Sequence, residues 1–294
     1  MIDQFVHLPM IDQFVHLLRY SFVQQAFEAG AVIAVVSGVV SRFVVARNMA
    51  FAVHALAEIG FTGSAGAILI GVSSLLGLLV GTVATALFIG GLGVRVRERD
   101  AVVGVVMSFG LGLGVLFLTL YQAYGTQAYA ILFGTITGVS FGDVELLVGL
   151  GIVTLAALGF IYRPLTFATV DPEVAEARGV PVRLLGIAFL LILAVAVAEA
   201  VQVVGVLLIL TLLIAPGASA ERLTARPGLA AVYSVAVALI AVLGGISLAC
   251  LTNLPASVFV TSLSFAMYLL ARFALGPIVM GNERIARLRA QATA

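Results

Sequence analysis

Apolar runs of about twenty residues follow one another from residue 22 to residue 276, interrupted by short breaks that carry arginine. A run of that length matches the ~30 Å hydrocarbon layer of a bilayer, where a chain has no water to satisfy its backbone. Only helices and closed barrels meet that condition, and the runs are continuous instead of alternating every second residue. With 62% hydrophobic and 10% charged residues, no soluble domain is left over. The expected fold class is therefore all-α, a polytopic integral membrane helical bundle in the cell membrane.

Hydropathy and arginine place spans at about 22–41, 49–70, 72–93, 101–120, 143–162, 184–200, 203–220, 228–250 and 256–276, eight or nine in all. Residues 22–276 then form the membrane-spanning body, 1–21 an amino-terminal segment and 277–294 a cytoplasmic tail. The first run is too late and too long for a cleaved signal, and it can insert itself. Arg42 and Arg47, Arg95 to Arg99, Arg163 to Arg183, Arg222 and Arg226, and Arg284 to Arg289 can share the cytoplasmic side. That parity requires the stretch from Ala128 to Gly142 not to cross, and puts Glu199 and Gln202 at an outer turn.

All fifteen basic side chains counted with lysine are arginine, and the net charge is +1. They lie at span ends and form no patch for nucleic acid. The lack of lysine excludes a Walker-type phosphate loop and lysine Schiff-base chemistry. ATP, if used, is bound by another chain. Cys250 is the single cysteine, so there is no intrachain disulfide and no cysteine metal cluster. The octapeptide at Met1 to Leu8 recurs at Met10 to Leu17; an alternative start at Met10 or a duplicated segment explains it, with a His7 and His16 metal clamp as the competing reading.

The polar island at 163–183 holds Asp171, Pro172, Glu173, Glu176, Arg178 and Gly179. Asp171 suits a helix cap, Pro172 the first turn, the glutamates the positive dipole end, and Gly179 with Pro181 the stop. The island reads as a short surface helix offered to a partner, or as a plain connector. Glycines recur at four-residue spacing at Gly77 and Gly81 and at Gly134, Gly138 and Gly142, with Gly110, Gly112 and Gly114 in the fourth span. They serve tight helix packing or a moving gate.

His54 and Glu58 lie four residues apart, on one face of the second span. Ionisable residues within a span face the bundle interior or a water-filled path. Imidazole and carboxylate together are acceptable ligands for Zn, Mn or Fe ions. Two donors cannot close a site, but a symmetric dimer supplies four. The competing reading is an internal structural pair. Thr62, Gly63 and Ser64 then soften the helix beyond the pair, as hinge or as packing.

Three segments resemble the permease subunit of metal-ion ABC importers, the zinc, manganese and iron ABC-3 family. Arg47 to Phe51, then His54 to Glu58 and Gly63, is similar to that family's Arg-x-Met-Ala run with Asp-Ala-Leu-Ser-His and Pro-Gly. Asp171 to Ala175 with Gly179 to Val182 resembles its cytoplasmic segment. Gln202 to Leu208, Leu212 to Pro216 and Ala220 resemble its long carboxyl-half signature. The resemblance implies a transport subunit that is not itself an enzyme and binds no cofactor of its own. It implies a second permease copy, two ATP-binding subunits resting on Asp171 to Gly179, and an extracytoplasmic metal-binding protein. It also implies a transit site at His54 and Glu58. Here histidine precedes the carboxylate, and Thr62 stands where the family has proline, so metal preference does not transfer. A permease for a chelated metal or small organic solute, or an ion-coupled secondary transporter, is the alternative. The last should show several mid-membrane carboxylates and an internal repeat.

Overall fold

The protein is described by a computed structural model over residues 17–91, 96–121, 141–206, 209–252 and 254–275. The duplicated octapeptide, Arg95, Gly134, Gly138 and the arginines of the tail lie outside the described residues. The elements are α1 (Ser21–Ala46), α2 (Ala50–Leu69), α3 (Ser74–Gly91), α4 (Val96–Leu120), α5 (Phe141–Val170), α6 (Pro172–Ala177), α7 (Val182–Val204), α8 (Ile209–Leu223), α9 (Pro227–Thr252) and α10 (Ala256–Leu269), followed by a π-helical turn at Leu270–Leu275. Among the described residues there are no strands. Among the described residues eight helices are long and apolar enough to cross a bilayer. The chain is a multi-pass helical membrane protein.

α1 is the hub, packed against α5, α7, α8 and α9, while α2 packs chiefly on α3 and α4. Lipid solvates leucine as well as a neighbouring helix does, so close backbone approach holds such a bundle together. Glycine supplies that approach. A Cβ on Gly63 would overlap the Gly77 carbonyl, and a Cβ on Gly77 would overlap the Gly63 carbonyl. Gly114 lies under the ring of Phe61, whereas Gly112 faces open space. Between α1 and α8, a Cβ on Gly217 would sit 2.5 Å from the Ser41 carbonyl oxygen. A Ser41–Ser234 hydroxyl contact of 2.8 Å ties α1 to α9 at the same level. Gly63, Gly77, Gly114 and Gly217 are sites of close helix packing.

Several boundaries differ from the hydropathy reading. α5 does not stop at 162 but runs through Arg163 and Pro164 to Val170. Charge ends a hydropathy window, but it does not end a helix, and the Thr166 hydroxyl donates to the Tyr162 carbonyl at 2.7 Å across the proline. α8 has 15 residues, too few to span alone, and it occupies most of the expected seventh span. It follows Gly205, where φ of +86° ends α7 in a backbone region that favours glycine. Glu199 and Gln202 are not at a turn. They lie in the last two turns of α7, and Glu199 is buried.

Candidate functional site

α2 begins two residues after Asn48, whose φ of +53° turns the chain between α1 and α2. Asn is among the few residues that tolerate that region. Helical spacing then stacks Glu58 one turn above His54, and His54 Nε2 lies 3.2 Å from Glu58 Oε1. The His54 side chain is 35% exposed and that of Glu58 14%, so the pair opens onto the surface of this single chain. His54 Nδ1 is buried without a hydrogen-bond partner. Among the described residues no three of His, Cys, Asp and Glu gather as a metal site. One chain therefore offers an incomplete ligand set of one imidazole and one carboxylate.

Thr62 does not end α2, which is helical to Leu69. Its hydroxyl donates to the Glu58 carbonyl at 3.2 Å and to the Gly110 carbonyl of α4 at 2.5 Å. The residue that replaces proline thus clamps the turn beneath Glu58 onto a neighbouring helix.

The polar island forms the short helix α6 with both ends capped. Asp171 Oδ1 accepts from the Val174 N–H at 3.0 Å, Pro172 occupies the first turn, and Glu173 sits at the positive end of the dipole. At the other end Gly179, with φ of +82°, donates to the Glu176 carbonyl at 2.9 Å, and the Val180 N–H donates to the Ala175 carbonyl at 3.0 Å. That pair of bonds is the Schellman closure, which only a left-handed residue at that position permits. Ala175 is fully buried, whereas Asp171, Pro172, Glu173, Glu176, Arg178 and Gly179 are all exposed. One small side chain pins the helix inward, leaving its polar face bare.

Two arginines expected only as cytoplasmic markers bind the flanking helices together. α1 continues past 41 to Ala46, so Arg42 lies inside it, 7% exposed. Its guanidinium donates to the Tyr162 hydroxyl of α5 at 3.0 Å and lies 4.8 Å from the Phe43 ring centroid. Phe43 meets Tyr162 edge-on at 5.5 Å and Phe189 of α7 at 5.8 Å. Arg47 donates to the Thr169 hydroxyl at 3.2 Å, one turn before α6. The helices on both sides of α6 are therefore fastened to the end of α1 that leads into α2 and His54. The arginines were visible in the sequence. Their partners Tyr162, Thr169 and Phe189 carry no local signal.

The comparisons with known proteins agree with this architecture. The profile of the ABC 3 transport family matches residues 19–274. The chain is 30% identical over 258 residues to the manganese transport system membrane protein MntC of Halalkalibacterium halodurans, covering 87% of this chain and 88% of that protein. It is 25% identical over 250 residues to the high-affinity zinc uptake system membrane protein ZnuB of Haemophilus influenzae, covering 84% and 95%. The solved structure of PsaBC from Streptococcus pneumoniae in complex with Fab superposes with a TM-score of 0.82 at 24% identity, over 90% of this chain and 96% of that one.

Proposed function

Since the chain belongs to the ABC 3 transport family, we propose that it is the membrane-spanning permease of an importer that carries a divalent transition metal ion, driven by separate ATP-binding subunits. The observation that carries the reading is the His54–Glu58 pair, two ionisable groups 3.2 Å apart on an otherwise apolar helix. Ionisable groups placed so within a membrane mark an ion path, and manganese and zinc both accept a nitrogen and an oxygen donor.

Two copies of the chain pair so that each contributes one His54 and one Glu58 to a shared path. The resulting set holds the cargo loosely enough to release it, because conduction fails where a site binds too well. The exposed face of α6 rests in a groove on an ATP-binding subunit. Closure of those subunits displaces α6, and because Arg42 and Arg47 fasten α5 to the end of α1, the movement reaches α2. The path is thereby opened to one side and then to the other. An extracytoplasmic binding protein delivers the ion. The relatives named for manganese and for zinc support a metal cargo and leave the two ions as alternatives.

Radiolabelled manganese and zinc uptake by cells carrying His54→Ala or Glu58→Ala tests this. Both variants should assemble with their partner subunits and transport neither ion. Undiminished uptake of both metals in both variants would remove the transit site, and uptake of a chelated metal or organic solute instead would assign another cargo.

A further inference from the structure

The bundle holds a second ionisable group that the transit pair does not use. Glu199, on α7, is 1% exposed. The Thr154 hydroxyl of α5 donates to its Oε1 at 3.0 Å, and Thr154 is itself 2% exposed. Oε2 is buried without a partner. So is Oε1 of Gln202, three residues on and therefore on the same face of α7. Across the niche stands Gly151 of α5, whose missing Cβ would lie 3.9 Å from Glu199 Oε2 and against Val32 and Val36 of α1. The Glu199 carboxyl group is thus enclosed where α1, α5 and α7 meet, and Glu199 Oε2 and Gln202 Oε1 are two buried acceptor oxygens without a partner there.

Two such oxygens call for a donor or a cation, and the charge of the carboxylate favours the cation. Among the described residues no arginine or histidine forms an ion pair with Glu199, and the Thr154 hydroxyl is its one hydrogen-bond partner. A buried carboxylate with no cation beside it is among the costliest arrangements a protein can hold. The niche supplies a single negative charge and two neutral oxygens. A divalent ion would leave one positive charge uncompensated there, whereas a monovalent ion leaves none. The position matters as well. Glu199 stands roughly 25 Å along α7 from Val182 at ~1.5 Å per residue, on the side of the membrane away from α6.

We propose that Glu199, with Gln202 and Thr154, binds one monovalent cation, a proton or a sodium ion, in the closed niche between α1, α5 and α7. The site is distinct from His54 and Glu58 and does not depend on what that pair transports. The guest exchanges toward the end of α7, which stops at Gly205.

Infrared difference spectroscopy on the assembled transporter in lipid nanodiscs reads the carboxyl group directly. A proton guest gives a protonated-carboxyl band that is lost on alkalinisation and missing in Glu199→Gln. A sodium guest gives a carboxylate band that shifts on exchange of sodium for potassium, again missing in Glu199→Gln. Should Glu199→Gln fail to assemble, Glu199→Asp, which moves the same group by one methylene, should displace whichever band is seen. A carboxyl signal indifferent to both pH and sodium wherever the protein remains folded, or a Glu199→Gln spectrum identical to that of the parent, would overturn the assignment. Failure of uptake in His54→Ala would leave it untouched.

Discussion

Replacing Asp171 with alanine removes the acceptor for the Val174 N–H at the start of α6, a bond of 3.0 Å. Loss of such a cap costs about 1 kcal/mol, and α6 is only 6 residues long, with few other bonds to hold it. At ~1.4 kcal/mol per factor of ten, the ordered form of the helix becomes roughly fivefold less populated. Asparagine caps almost as well as aspartate, so Asp171→Asn separates the cap from the charge. Asp171 is exposed, and neither change disturbs the core. Hydrogen exchange at the Val174 amide should accelerate about fivefold in Asp171→Ala and little in Asp171→Asn. In proteoliposomes with the ATP-binding subunits, metal transported per ATP hydrolysed should fall several-fold in the alanine variant alone. Normal coupling in both variants would show that helical order in α6 is irrelevant, and equal impairment in both would put the effect on charge.

Other perturbations test other links. Gly217→Leu places side-chain atoms where the Ser41 backbone lies, and overpacking of about 1–3 kcal/mol should lower the melting temperature in detergent; an unchanged temperature would mean that α1 and α8 do not meet as described. Tyr162→Phe leaves the buried Arg42 guanidinium without that acceptor, at about 1–3 kcal/mol, so denaturation should come earlier while the edge-on contact with Phe43 persists. Glu173→Arg reverses a favourable charge at the positive end of α6, about 0.3–1 kcal/mol, and should uncouple ATP turnover from uptake without reducing assembly. Normal coupling in that variant would make α6 a connector.

What the sequence revealed was the part governed by local chemistry. Span lengths follow from bilayer thickness, and the caps of α6 follow from Asp171, Pro172 and Gly179, each placed where its own stereochemistry requires. The four-residue spacing of His54 and Glu58 guarantees their contact in any helix. Other features depend on partners distant in the chain. Pro164 and Arg163 look like a helix end, yet α5 continues because Thr166 and the packing on α1 and α7 support it. Arg42 reads as a cytoplasmic charge, and its burial depends on Tyr162, 120 residues away. Glu199 and Gln202 lower the local hydropathy and so resemble a turn. Only the structure places Thr154 and Gly151 opposite them, converting a supposed boundary into a buried niche. Thr62 is similar: beyond Glu58 it looks like a softened helix, and its bond to the Gly110 carbonyl makes it a clamp.

On the proposed function, this permease is moved by force from nucleotide-hydrolysing partners and has no engine of its own. Manganese flux into proteoliposomes, measured with the purified chain alone and then with the ATP-binding subunits, the binding protein and ATP, tests it most directly. The chain alone, under imposed proton, sodium or metal gradients, should pass no more metal than protein-free vesicles, and ATP with the partners should start uptake. Rapid gradient-driven manganese flux through the solitary chain would contradict the account.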